Sequence, residues 1–299
     1  MDYANEVHIR EVAMISETVR LALPQWQGGM NPAYMMGARI LSAIVPESPT
    51  TPTVTVPLSG LADAMPTDSV DQQGALLDQM TRTYDILAEL GPRRVITLGG
   101  DCSVSEAPFD YLHTIYPEHF GVIWLDAHPD ISTPESSRHI HEMVVANLMC
   151  RGAKEFNEII HTPLTADELL YAGLKVDELR PMDHLATDLP IEVIRPEKLD
   201  VDDKPVEQWL ARKHIKHVAV HWDLDVLDPD DFRSILPAQP YLDRSGFGAA
   251  IGSLKLSQVF RLLSTLSRES DLVGLSIAEH MPWDAINLNK GLSLLPIFN

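Results

Sequence analysis

Asp126, His128 and Asp130 alternate as D-x-H-x-D in the stretch DAHPD. In extended backbone, positions i, i+2 and i+4 face the same way, so three ligand-type side chains enter one space. Asp223 and Asp225 repeat the device in DLDVLDP. Four carboxylates and an imidazole cannot crowd together without cations, because like charges repel and lose hydration. Oxygen donors with one imidazole suit hard or borderline divalent ions. Shared carboxylates can hold two such ions roughly 3.5–4 Å apart, the spacing that pins a bridging hydroxide for hydrolysis. Taken singly, the parts have blander readings. A D-x-D after a strand is commonly a cap or turn, Asp228-Pro229 reads as turn chemistry, and a lone buried histidine is more often a satisfied core residue. Their convergence is what points to metal chemistry.

Elements that could bring them together are legible as short apolar runs: RVITL (94–98), FGVIWL (120–125), ELLYAGL (168–174), IEVI (191–194), HVAVHW (217–222) and LVGLSIA (272–278). Continuous apolar character predicts strands of a parallel sheet covered on both faces. Between them, 71–90 and 256–270 carry apolar residues at helical spacing. Strands alternating with helices predict a three-layer α/β/α sandwich around a mainly parallel sheet. Ligands of such sheets sit beyond the carboxyl ends of the strands. Four strands end there in GGDCS, DAHPD, DLDVLDP and EHMPW, which adds Cys102 and Glu279 to the set.

The 299 residues are read as a single domain, 1–299, with a formal net charge of −20. Such acidity repels phosphate backbones, so no nucleic acid is expected as partner; it mildly favours cationic small molecules, and serves solubility equally well. Two distant cysteines, Cys102 and Cys150, make no disulfide framework, and Cys150 reads as structural. MDYANEVHIREVAM lacks the charged and apolar regions of a signal peptide, and no apolar run is long enough for a membrane span. The cytoplasm is the expected location. The segment Val45 to Gly60, rich in Pro, Thr and Ser, reads as a surface connection.

The four stretches, in this order and at these separations from about Leu98 to Pro282, resemble the arginase/agmatinase (ureohydrolase) family. Its pattern runs G-G-D-H-S, D-A-H-x-D, S-x-D-x-D-x-x-D-P and a late glutamate. The resemblance implies an arginase-like fold, a binuclear Mn²⁺ centre and hydrolysis of a guanidino-type C–N bond that releases urea or a urea derivative. Carried onto this chain, Asp126 and Asp223 would bridge both ions, Cys102 and Asp130 would complete one, and His128 and Asp225 the other. Glu279 would meet the guanidinium of a small cationic substrate. HEMVVANL (141–148) matches the family stretch H-G-x-P-x-A-x-L, giving His141 the proton-shuttling role, with His139 as the alternative. The family further implies a homo-oligomer, trimer or hexamer.

Three departures stand out. Cys102 replaces a histidine; its thiolate admits Zn²⁺, Fe²⁺ or Ni²⁺ beside Mn²⁺, and a cysteine here also resembles relatives that release hydroxyurea from N-hydroxyarginine. The loop ISTPESSRHIH lacks the serine-glycine-asparagine segment that recognises an α-amino acid. Glu142 stands where the family has glycine, beside His141, and would either raise that histidine's pKa or point to solvent; Val144 replaces a proline. LPQWQGGMNPAYMMGARIL (23–41) takes the place of a glycine-rich stretch, its Trp26, Tyr34 and methionines either lining the pocket or packing in the core. Loss of a metal would leave a different protein altogether, a metal-poor, inactive binding or scaffold subunit; retention of the other seven site residues argues for the hydrolase.

Overall fold

A run such as FGVIWL puts large apolar side chains on both sides of an extended backbone, and such a strand is stable only with helices over each face. The computed structural model, which describes residues 17–60, 70–295 and 297, meets that demand. The N-terminal stretch read for a leader lies outside the described residues. Eight strands among those described form one all-parallel sheet in the order β2-β1-β3-β8-β7-β4-β5-β6. They are β1 (Thr18–Leu23), β2 (Thr53–Thr55), β3 (Arg94–Gly99), β4 (Phe120–Leu125), β5 (Leu169–Ala172), β6 (Glu192–Ile194), β7 (His217–Asp223) and β8 (Asp271–Ala278). The longer helices are α1 (Ala33–Ile44), α2 (Gln73–Leu90), α3 (Glu106–Ile115), α4 (Lys204–Lys213), α5 (Leu256–Glu269) and α6 (Trp283–Leu292).

Alternate residues of the central strands feed two separate cores. Val122 and Trp124 of β4 with Ala219 of β7 pack with Leu76, Met80 and Leu87 of α2 and with Phe109 and Leu112 of α3. Ile123 and Leu125 with Val218 and Val220 pack with Val206 and Trp209 of α4 and with Val259 and Leu262 of α5. Two apolar layers, one on each face, make the three-layer sandwich.

The six strands read from sequence are all present. Two more were not expected. β1 (TVRLAL) is interrupted by a charged residue, and β2 is a three-residue edge strand inside the segment read as a surface connection. Leu125 of β4 pairs with Trp222 of β7, Asp223 of β7 with Ala278 of β8, and Leu98 of β3 with Ile277 of β8. The four strands that end in chemically active residues, β3, β8, β7 and β4, are therefore consecutive in the sheet. β3 and β4 follow one another in sequence yet lie on opposite sides of the β7–β8 pair, and such a reversal of strand order opens a crevice at the carboxyl ends.

Candidate metal centre

β3 ends in Gly99-Gly100-Asp101. A Cβ on Gly100 would sit 1.7 Å from the carbonyl oxygen of Gln25, so only glycine permits this approach. Asp101 caps the 3₁₀ turn Cys102–Ser105 by accepting the Ser103 N–H at 3.0 Å. Its other oxygen accepts the Gly28 N–H at 2.9 Å. Gly28 in turn accepts Nδ1–H of His141 through its carbonyl at 2.9 Å. One carboxylate thus fixes the turn that carries the thiol and the loop that holds the histidine.

Beyond β4, Asp126 Oδ1 accepts the His128 N–H at 2.7 Å and Oδ2 accepts Trp124 Nε1–H at 3.1 Å. His128 donates Nε2–H to the Ala250 carbonyl at 3.1 Å. That bond leaves Nδ1 facing Asp126 Oδ1 and Asp225 Oδ2, each at 3.4 Å. Beyond β7, Asp223 Oδ1 accepts the Asp225 N–H at 2.7 Å, and its Oδ2 accepts the Cys102 thiol at 3.0 Å. Beyond β8, Glu279 takes a left-handed backbone, φ 61°, and its N–H donates to the Gly100 carbonyl at 2.7 Å. Its Oε1 lies 3.5 Å from Cys102 Sγ, and it accepts the Tyr34 hydroxyl.

Three sets of donor atoms each fall within 4.8 Å of one another: Cys102, Asp126, His221 and Asp223; Asp126, His128 and Asp225; and Asp223, Asp225 and Glu279. Asp126, Asp223 and Asp225 each recur in two of them, so all three lie where a carboxylate could be shared. Asp130 lines the same cleft, about 140 Å³ in volume, but belongs to none of these sets. Its backbone is also left-handed, φ 43°, and its Oδ2 is buried without a hydrogen-bond partner. Asp225 Oδ1 and His221 Nε2 are buried without a partner as well. Buried polar atoms normally have partners. Unpaired carboxylate oxygens of Asp130 and Asp225 in the cleft, and the unpaired His221 nitrogen near Cys102, Asp126 and Asp223, fit divalent cations.

The electrostatics agree. Burial, reinforced by neighbouring carboxylates, raises Asp130, Asp223 and Glu279 well above the usual carboxylate range. Burial also raises Asp225, against the opposing pull of His128. Burial raises Asp126 too, but the hydrogen bonds and charge of His128 outweigh it and hold Asp126 low. Burial disfavours a charged His128, yet Asp225 and Asp126 prevail and raise it. Burial, then the charges of Glu279 and Asp223, push the Cys102 thiol up. These are the marks of a cluster short of positive charge.

His141 also lines the cleft, whereas His139 is half-exposed with Nε2 3.8 Å from Asp71 Oδ2. Glu142 neither points to solvent nor governs His141. It accepts Arg180 Nη1–H at 2.7 Å, and burial outweighs its charge and lowers the His141 pKa. Tyr34 lines the cleft, while Trp26 and Met36 pack against a small core of Tyr34, Met281 and Ile286. Cys150, read as structural, is exposed, its thiol donating to the Asn157 carbonyl at 3.6 Å. Sequence reasoning missed Arg180, for which no local signal exists. It also missed His221, which stands where the quoted pattern has serine and was hidden in an apolar run.

An arginase-family model matches residues 32–286 of this chain. The arginase of Entamoeba histolytica is 26% identical over 162 residues, covering 52% of this chain and 53% of that protein. Arginase-1 of Xenopus laevis is 29% identical over 155 residues, 48% and 47% of the two chains. The chain thus spans about half the length of the curated relatives it matches. Among solved structures, Entamoeba histolytica arginase in complex with L-ornithine superposes with a TM-score of 0.75 at 20% identity, covering 89% of this chain and 92% of that one. A putative agmatinase from Clostridium difficile gives 0.60 at 16% identity, with 93% of each chain covered. No described helix is long and apolar enough to cross a membrane.

Proposed function

Because the chain belongs to the arginase family, we propose that it hydrolyses the C–N bond of a small cationic guanidino compound, releasing urea or a urea derivative. The observation that carries this reading is the gathering of Cys102, Asp126, His128, Asp223, Asp225 and Glu279 at the mouths of four adjacent strands. Asp126 and Asp223 would bridge two divalent ions, with Cys102 and Asp130 toward one and His128 and Asp225 toward the other. Mn²⁺ is the first candidate, and Cys102 widens the choice to Zn²⁺, Fe²⁺ or Ni²⁺. When bound, such ions lower the pKa of water and so supply a nucleophile near neutral pH.

The chain's own groups do the rest. Glu279 receives the guanidinium through two charge-assisted hydrogen bonds, and the Tyr34 hydroxyl holds its carboxylate in place. His141, tethered through Nδ1 to Gly28, leaves Nε2 to carry a proton to the leaving amine. Arg180 is occupied by Glu142 and Asp183, so the cleft keeps the net negative character that suits a cation. The protein acts as one domain, in the cytoplasm, as a homo-oligomer. The apolar side chains of Leu288 and Leu294, 63% and 81% exposed at the C-terminal end, support the last point.

A screen of arginine, agmatine, guanidinobutyrate, N-hydroxyarginine and simple guanidines, with Mn²⁺, Zn²⁺, Ni²⁺ or Fe²⁺ added, tests the proposal. Release of urea or hydroxyurea from one class is the expected result. No product from any combination, in protein shown to hold two ions, would refute it.

A further inference from the structure

We propose that His221 is itself a metal ligand, completing with Cys102, Asp126 and Asp223 a four-donor site of thiolate, imidazole and two carboxylates. The proposal rests on the two-ion reading above and assigns a residue that reading does not use.

His221 lies in the interior of β7 and is fully buried. Its ring stacks on Trp124 of the neighbouring strand, 3.7 Å between centroids and 11° between planes. Nδ1 sits 2.8 Å from Ser105 Oγ. Nε2 is buried and has no hydrogen-bond partner among the described residues. Such an atom carries an unrepaid desolvation cost unless something meets it. The ring is locked by stacking on one side and by a hydrogen bond through one nitrogen; with Nδ1–H donating to Ser105 Oγ, the other nitrogen presents a fixed lone pair. Metal-bound histidines are held in this way, the non-ligating nitrogen bonded to a neighbour that sets tautomer and orientation.

The surroundings supply the other donors. A ring nitrogen of His221, Cys102 Sγ and carboxylate oxygens of Asp126 and Asp223 all lie within 4.8 Å of one another. Asp130 lies outside this set, so in this assignment His221 takes the fourth place that the reading above gives to Asp130. A neutral imidazole adds coordination without adding charge; standing in place of a third carboxylate, it keeps the donor set at three negative charges once Cys102 is a thiolate. Four donors of sulfur, nitrogen and oxygen match the tetrahedral habit of Zn²⁺ better than the oxygen-rich environments that suit Mn²⁺. The site is thus unlike its neighbour at Asp126, His128 and Asp225, and the two ions need not be the same element.

The test uses chelator-stripped full-length protein reloaded with Zn²⁺ or Co²⁺, with stoichiometry from elemental analysis and affinity from competition with a chromophoric chelator. The parent is expected to bind two ions and to show thiolate-to-cobalt charge-transfer absorption. His221→Ser and His221→Asn are expected to keep one ion and to bind the other more weakly, by more than the roughly 10–100-fold typical of losing an outer partner. Unchanged affinity and an unchanged cobalt spectrum in both variants would overturn the assignment while leaving two bound ions. A parent that takes up no ion would instead overturn the metal reading with it. Should the variants fail to fold, ¹¹³Cd-loaded parent labelled with ¹⁵N-histidine decides. Resolved couplings from two histidines support the assignment, and a coupling from one alone refutes it.

Discussion

The Cys102 thiol donates to Asp223 Oδ2 across 3.0 Å. A proton therefore sits between two groups that would both be ligands, and burial raises the pKa of each. Ions must displace it, so loading releases protons. At pH 7, addition of Zn²⁺ to stripped protein should acidify a weakly buffered solution, and Cys102→Ala should release about one proton fewer and hold its second ion loosely. An indicator dye and elemental analysis read both quantities. Equal release and equal stoichiometry in parent and variant would remove Cys102 from the ligand set.

Glu279 is placed to meet a cation through two hydrogen bonds. Bonds to charged groups contribute about 1.5–3 kcal/mol each, so Glu279→Gln should lower kcat/KM by roughly a hundredfold or more. Metal content should be unchanged within error. Parent-like turnover in the variant would place substrate recognition elsewhere.

His141 faces the cleft and His139 faces Asp71. His141→Ala should cost roughly 10²–10⁴ in kcat, the range for a general acid or base, whereas His139→Ala should keep most of the rate. Comparable losses in both variants would contradict the assignment of the shuttle.

Glu106, at the start of α3, is buried and accepts Asn147 Nδ2–H at 2.7 Å. Burial pushes its pKa from 4.5 up to about 8, against the lowering effect of that hydrogen bond. The folded chain keeps a proton that the unfolded chain gives up, so this group's contribution is full below pH 4.5 and is lost as pH rises towards 8. Glu106→Gln, neutral throughout and still able to accept from Asn147, should flatten that decline. Its advantage near pH 8 should be on the order of 3–5 kcal/mol, read by urea denaturation of metal-free protein at pH 5 and pH 8. Identical slopes for the two proteins would show that Glu106 is ionised in the fold.

Sequence pattern revealed elements wherever both faces of a strand are apolar. RVITL, FGVIWL and HVAVHW lie in the middle of the sheet, and their composition alone announces it. TVRLAL was missed because Arg20 interrupts the run next to a three-residue edge strand, and so short an edge leaves no periodicity to read. In the site, D-x-H-x-D and D-x-D were legible because acidic residues at strand ends have little structural use. His221 was not, since one imidazole among valines and tryptophan in a β-strand looks like core. Tyr34 reaches Glu279 from a helix far away in sequence, a contact made only by tertiary packing. Asp130 was read as one of three equivalent ligands of an extended segment. Its left-handed backbone breaks that alternation and sets it apart from the closest donors.

Glu279 and Asp130 both occupy a region of backbone space that residues with a Cβ avoid. A main-chain bond helps to hold each there: the Glu279 N–H to the Gly100 carbonyl at 2.7 Å, and the Val145 N–H to the Asp130 carbonyl at 2.9 Å. If either latch slips, the peptide springs to a commoner conformation and its carboxylate swings out of aim, though no strand has moved. Warming should therefore silence this protein some degrees before it melts, and inactivation that merely tracked the loss of far-ultraviolet circular dichroism would mean the latches never let go first.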